Sequence, residues 1–251
     1  MKFNTKDITY YCQPFDHWVL DNFLDINDAK KLSNQFIDFD NPTEEIIHYK
    51  GWIGEKRTCN RWDRFPPLTY STFSNLLSVE FINKLTEITG ISPLYPDIGL
   101  HGGGWHMHSR GGKLNIHLDY NVNPKLNLQR KLNLIVYLTE DWDTSWGGGL
   151  ELWSHNEEEN LPLNREVVVD NIFNRAILFD TTQNSWHGLP QPITCPEGVY
   201  RKSIAVYYMT DLPEDTNQRK RALYAPTKEQ ENDSEVLDFI KERVTWKSKQ
   251  K

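Results

Sequence analysis

His117 and Asp119 stand two apart in KLNIHLDY, and His187 follows much later in NSWHGLP. The first segment reads as a strand, on which residues two apart share a face. Both side chains can therefore enter one interior while Ile116 and Leu118 pack on the other side. Two imidazoles and one carboxylate on one side of a metal form the ligand set suited to non-haem iron(II). Three protein ligands hold the ion, and three adjacent positions stay open for a chelating co-substrate and dioxygen. The triplet alone is a weak signal, because one His-x-Asp arises by chance in roughly half of chains of this composition. Taken alone, His117 and Asp119 read first as a satisfied polar pair.

Further residues add to it. Arg201 and Ser203 share a face in RKSIAVYYM, downstream of His187. A guanidinium binds a carboxylate through a planar fork, and a hydroxyl supplies another donor. A 2-oxoglutarate molecule chelating iron through its oxo-acid end needs such an anchor for its far carboxylate. A random arginine is more often half of a surface ion pair; the position of Arg201, on the strand after His187, favours the anchor. Asn133, Ile135 and Tyr137 alternate along RKLNLIVYL, so Asn133 and Tyr137 can turn polar groups inward. Tyr137 reads equally as a core tyrosine with a satisfied hydroxyl. The glycines of WGGGLELW permit close backbone approach and match no phosphate loop.

These positions need a framework. Short β-branched and aromatic runs at Lys113–Tyr120, Leu132–Leu138, Gly149–Trp153, Glu166–Val169, Ala176–Asp180 and Arg201–Met209 predict a sandwich or barrel. Before them, Asn27 or Asp28 can cap a helix carrying Ala29, Leu32 and Phe36. After Tyr70, a single apolar stripe of Phe73, Leu77, Phe81, Leu85 and Ile88 predicts a helix stopped by Gly90. The stretch GWIGEKRTCNRWDRFPP between them reads as an irregular loop. A last helix from Asp233 or Ser234 is expected to bury Val236, Phe239, Ile240 and Val244. The expected organisation is one α+β domain over 1–251: mainly helical support in 1–95, a β core in 96–211, and a polar helical tail in 212–251.

Bulk properties set limits. The chain has 251 residues and a formal net charge of −7, which disfavours a standing nucleic-acid partner. Arg219, Lys220 and Arg221 read as a solvated patch. Three separated cysteines, Cys12, Cys59 and Cys195, suggest neither a disulfide framework nor a zinc site and fit a reducing, cytoplasmic setting. No apolar run approaches membrane-spanning length, so no membrane partner is expected.

The ordered series GGGWHMHSRGGKLNIHLDY, RKLNLIVYLTEDW, GGGLELW, NRAILFD, SWHG and YRKSIAVYY resembles the prolyl 4-hydroxylase-like branch of the iron(II)/2-oxoglutarate oxygenases over roughly Asp97–Met209. The resemblance implies a double-stranded β-helix (jelly-roll) core, with His117, Asp119 and His187 as iron ligands. It implies Arg201 as partner of the far carboxylate and Tyr137 as a hydrogen-bonding contact to the co-substrate, with Ser203 and Asn133 as additional contacts. Iron(II) is the implied cofactor, 2-oxoglutarate and dioxygen the co-substrates, and ascorbate an accessory. The implied reaction is hydroxylation of an unactivated C–H bond with release of succinate and carbon dioxide, on a peptide or small-molecule substrate, a prolyl residue foremost. His106 and His108 form an upstream His-x-His pair that can line the co-substrate pocket or compete as ligands; the pair reads first as strand residues near the site and not as iron ligands.

Two other readings use the same residues. A nucleic-acid demethylating oxygenase typically carries a second arginine shortly after the first, where this chain has Tyr207 and Tyr208. A non-catalytic cupin-like module would start its ligand set at His106 and His108, but the glutamate expected soon after is missing from SRGGKLN. Substrate choice is expected to lie in GWIGEKRTCNRWDRFPP and around Leu189 to Val199.

Overall fold

The computed structural model describes residues 2–36, 45–48, 52–123, 125–214, 216, 219 and 221–245. Gly51, Lys220 and the side chain of Val244 lie outside the described residues. In chain order the elements are β1 (Ile8–Tyr11), β2 (His17–Leu20), α1 (Ile26–Asn34), β3 (Glu45–His48), β4 (Gly54–Cys59), α2 (Pro67–Leu76) and α3 (Val79–Thr89). Then follow β5 (Tyr95–Pro96), β6 (Gly104–His108), β7 (Lys113–Leu118), β8 (Gln129–Tyr137), β9 (Leu150–Asn156), β10 (Leu161–Val169), β11 (Ala176–Asp180), β12 (Trp186–Leu189), β13 (Arg201–Thr210), β14 (Leu223–Tyr224) and α4 (Ser234–Thr245).

The strands form one curled sheet in the order β1-β2-β11-β8-β13-β6-β4-β7-β12-β9-β10, and the pairings in it are antiparallel. One wall is β11-β8-β13-β6, the other β7-β12-β9, and β4 joins them by pairing with both β6 and β7. This is a jelly-roll core in an α+β chain.

Alternation along β8 and β13 separates two kinds of surface, as period-two strands must. Leu132, Leu134, Val136 and Leu138, with Ile204, Val206 and Tyr208, face the helices and pack on Leu32, Phe73, Leu76, Phe81 and Leu85. Each fully buried Leu or Phe in that layer contributes roughly 1.5–3 kcal/mol. The residues between them, Asn133, Ile135 and Tyr137 on β8 and Arg201, Ser203, Ala205 and Tyr207 on β13, are left to the interior and are themselves buried.

Several expectations change. The stripe after Tyr70 is broken: α2 ends at Leu76 and α3 restarts behind Ser78, whose hydroxyl accepts from Phe81 N at 3.2 Å. Gly90 ends α3 in the left-handed region at φ +71°. The cap of α1 is Asp25, not Asn27 or Asp28, because its carboxylate accepts from both of their backbone N–H groups. The first 95 residues also contribute β1 to β4, and β4 lies in the stretch expected as an irregular loop. Its sequence GEKRTC has no apolar alternation; pairing on both sides holds it in place. At the far end, α4 buries Val236 and Ile240 against Ile53, Leu114 and Leu189, with Phe239 partly buried beside them. Among the described residues, no helix is long and apolar enough to cross a membrane.

Candidate functional site

The two walls enclose a cavity of about 350 Å³ lined by His117, Asp119, His187 and Arg201 among others. Strand pairing brings the first three together. β12 lies antiparallel to β7 with His187 directly opposite His117, and their rings stand 4.4 Å apart. Asp119 follows just past the end of β7. One ligand atom from each residue lies within 4.8 Å of the other two, and all three side chains are buried.

The ring orientation suits a metal. His117 Nδ1 faces the carbonyl of Asn115 at 2.9 Å, and His187 Nδ1 faces that of Ser185 at 2.8 Å. A carbonyl only accepts, so each Nδ1 carries the proton and each Nε2 presents a lone pair, the tautomer that metal-bound histidines need. Both lone pairs point to one carboxylate: His117 Nε2 is 3.7 Å from Asp119 Oδ1, and His187 Nε2 is 3.9 Å from Oδ2. Burial pushes His187 down to about 4, assisted by His117, which keeps the ring neutral. The Asp119 carboxyl lies below its ordinary value although burial opposes this, with Arg130 among the groups that favour its ionised form. The donor set of two neutral imidazoles and one carboxylate fits iron(II).

Neighbours fix these ligands. Tyr207 Oη donates to Asp119 Oδ2 at 2.9 Å, and Arg219 Nε donates to the Asp119 carbonyl at 2.8 Å. Tyr224 stacks on His117, and Phe179 meets His187 edge-on.

Arg201 enters from the other wall. Its Nε donates to the Gly148 carbonyl at 2.6 Å and Nη1 to Ser203 Oγ at 3.3 Å, and its guanidinium lies 5.0 Å from the Tyr137 ring centroid. Gly148 has φ +78°, and a Cβ there would come within 3.1 Å of Arg201 Cδ, so Gly148 leaves room for the arginine. Tyr137 is fully buried behind it, within hydrogen-bonding reach of Arg201 and with a long contact of 3.5 Å from Oη to the Val169 carbonyl. Burial raises the Tyr137 phenol despite the Arg201 charge, so it stays a donor. Asn133 is buried on the cavity wall with Oδ1 unpartnered.

His106 and His108 line the same cavity and stand apart from the His117–Asp119–His187 cluster. In the ladder, His108 is opposite Arg201 and His106 opposite Ser203. Burial, reinforced by Arg201 and Lys56, holds both imidazoles well below their ordinary value and therefore neutral. Of the stretch after His187, Leu189 reaches the cavity, while Ile193 and Cys195 pack against Trp142. No local motif marks Lys56, Arg130 or Tyr207 for an individual role, yet all three also line the cavity. For Tyr207 a signal existed: counting by twos from Arg201 along β13 reaches it. Arg130 is clasped between the rings of Tyr120 and Tyr207, 3.5 and 3.6 Å from their centroids.

Comparison with known proteins agrees with this geometry. Residues 103–209 match the family model of the 2OG-Fe(II) oxygenase superfamily. Among solved structures, a Pseudomonas putida prolyl-4-hydroxylase is similar at TM-score 0.54 and 13% identity, over 78% of this chain and 93% of that one. A Trichoplax adhaerens prolyl hydroxylase, solved with a hypoxia inducible factor peptide, is similar at TM-score 0.53 and 16% identity, over 77% and 83%. HygX from Streptomyces hygroscopicus, solved with nickel, 2-oxoglutarate and hygromycin B, is similar at TM-score 0.51 and 14% identity, over 77% and 82%. At these identities the likeness establishes the fold. No curated protein matches the chain in sequence.

Proposed function

We propose, for a chain whose residues 103–209 form a 2OG-Fe(II) oxygenase superfamily domain and which is thereby a 2-oxoglutarate-dependent dioxygenase, that it hydroxylates an unactivated C–H bond of a prolyl residue or a small metabolite. Succinate and carbon dioxide are the accompanying products. His117, Asp119 and His187 hold iron(II), and Arg201 receives the far carboxylate of 2-oxoglutarate. The observation that carries this reading is the convergence of two Nε2 lone pairs and one carboxylate within 4.8 Å, in the cavity that Arg201 also enters.

Bound iron(II) with 2-oxoglutarate supplies the chemistry that couples decarboxylation of the oxo acid to oxidation of the substrate. This chain's residues bind, orient and exclude water. Gly148 and Ser203 hold the Arg201 fork, the Tyr137 hydroxyl offers a donor beside it, and Asn133 and Ser203 add polar contacts. Tyr207 fixes one oxygen of Asp119. The prolyl option rests on the likeness to two prolyl hydroxylases, and the small-metabolite option on the size of the cavity, which lies at the lower end of the roughly 300–1,000 Å³ usual for ligand sites.

The test is succinate release from 2-oxoglutarate by iron-loaded protein, with binding of metal and oxo acid measured separately. Stoichiometric metal binding, lost in His117→Ala and His187→Ala, is expected. Protein that binds neither metal nor 2-oxoglutarate overturns the reading.

A further inference from the structure

The cavity differs in sign from the chain around it. The whole protein carries a net charge of −7, yet among the described residues the cavity is lined by Lys56, Arg130, Arg201, Arg221 and Arg243 against a single carboxylate, Asp119. In the proposed complex the iron dication and the 2-oxoglutarate dianion cancel, and Asp119 balances Arg201. Among the described residues, no second carboxylate on the cavity wall faces Lys56.

Lys56 is the most telling of them. It sits in β4, where Arg57 pairs with Met107 and Thr58 with His106. The same ladder brings Lys56 level with His108, which is itself opposite Arg201. Lys56, His108 and Arg201 thus form a row across three adjacent strands, with Cα atoms of the two cations about 10 Å apart at ordinary strand spacing. Among the described residues the Lys56 ammonium makes no hydrogen bond or ion pair, although it lines the cavity. Beside it, Nε2 of His106 and both ring nitrogens of His108 are buried without a hydrogen-bond partner. Buried polar groups are ordinarily satisfied, and a neutral imidazole can donate one N–H to an anion. Lys56 and the His108 ring, on one wall and unpartnered among the described residues, lack an acceptor, whereas His106 already gives its ring N–H to the Gly102 backbone.

We infer that Lys56 and His108 form an anion subsite beside the oxo-acid anchor, and that the hydroxylated substrate is a small molecule bearing a carboxylate or phosphate group. This rests on the oxygenase reading for the word substrate, but the subsite itself can be tested without turnover. A row with its own ammonium and a second cation two strands away repels cationic substrates and offers an uncharged prolyl peptide no partner for Lys56.

The experiment uses acetate and inorganic phosphate as probes, titrated calorimetrically into manganese-loaded protein with and without saturating 2-oxoglutarate. At least one probe is expected to bind in the presence of 2-oxoglutarate. Lys56→Met should weaken it by at least about tenfold, and Lys56→Arg should restore most of the loss, as for a charge-assisted contact. Whichever probe binds identifies the acidic group. Succinate release is then followed with acidic metabolites and with their methyl esters, and only the free acids should stimulate it. The inference is overturned if neither probe binds, if Lys56→Met binds like the wild type, or if esters or a neutral prolyl peptide stimulate release as well as acids. If the wild type fails to bind 2-oxoglutarate yet binds phosphate through Lys56, the subsite stands and the oxygenase reading falls.

Discussion

Tyr207→Phe removes one hydroxyl and leaves the ring that stacks on Arg130 at 3.6 Å. The lost contact is the 2.9 Å hydrogen bond to Asp119 Oδ2, between buried partners. A hydrogen bond to a charged group is worth about 1.5–3 kcal/mol, which at about 1.4 kcal/mol per decade sets a ceiling of roughly 10–100-fold on any affinity change. The bond exists before and after metal arrives, so the ceiling is not reached. What the metal loses is a carboxylate already oriented, and it must now order that group itself. The expected outcome is about tenfold weaker metal binding, the lower end of the range for groups that orient metal ligands. An anaerobic iron(II) titration, or manganese(II) competition against a chelator, reads it directly. The melting temperature without metal separates a folding defect from an affinity defect. Affinity within about twofold of the wild type, where a tenth of the binding was expected to remain, refutes the positioning role.

Four further outcomes are expected. Arg201→Lys cannot keep both the Gly148 contact and a planar fork, so the 2-oxoglutarate KM from succinate assays should rise by at least about tenfold; an unchanged KM refutes the anchor. Burial pushes Lys56 down to about 8, with Asp119 favouring its charge and Arg201 and Arg130 opposing it. The ammonium is charged below that value, so phosphate or acetate affinity should be full near neutrality and fall as pH rises through 8; a flat calorimetric profile to pH 9.5, roughly one and a half units beyond, contradicts it. Asp180 is buried and accepts from Lys131 Nζ at 2.6 Å and from Thr182 N and Oγ1 at 2.8 and 2.6 Å, so Asp180→Ala should cost about 3–5 kcal/mol in urea unfolding with an unchanged m-value. Gly104 has φ +91°, and a Cβ there would stand 2.2 Å from the Cys59 carbonyl; Gly104→Ala should prise β4 from β6 and sharply lower the melting temperature, and wild-type melting would show that β4 can yield.

A sandwich or barrel core was legible because its strands obey alternation, β8 and β13 showing apolar residues to the helices and Asn133, Tyr137, Arg201 and Ser203 to the interior; the jelly roll in particular came with the family resemblance. The meeting of His117 with Asp119 followed from spacing alone. Their meeting with His187 did not, since it depends on β12 pairing with β7 in a register that no local pattern specifies. The helix stripe from Phe73 to Ile88 misled because an interrupted helix pair preserves nearly the same apolar phase; only the cap at Ser78 betrays the break. Strand β4 was invisible for the opposite reason. GEKRTC has the composition of a solvated loop, and what holds it is pairing with partners distant in sequence. Lys56 was hidden with it, although the surrounding stretch was expected to govern substrate choice.

Register therefore links folding to chemistry in this chain. A slip of one residue in the pairing of β13 with β6 would turn Arg201, Ser203 and Tyr207 outward and bring Lys202, Ile204 and Tyr208 into the cavity. The slip is opposed by the apolar contacts of Ile204, Val206 and Tyr208 with α2 and α3, and by the Tyr208 hydroxyl donating to the Leu76 carbonyl at 2.9 Å. The helices thus specify, from outside the sheet, which parity of β13 addresses the cavity of His117, Asp119 and His187. Because β6 and then β4 are registered on β13, the same choice carries His106, His108 and Lys56 inward. A core substitution beneath α3, such as Phe81→Ala, should accordingly loosen co-substrate and anion binding together, whereas a change confined to β4 should spare the first and weaken the second.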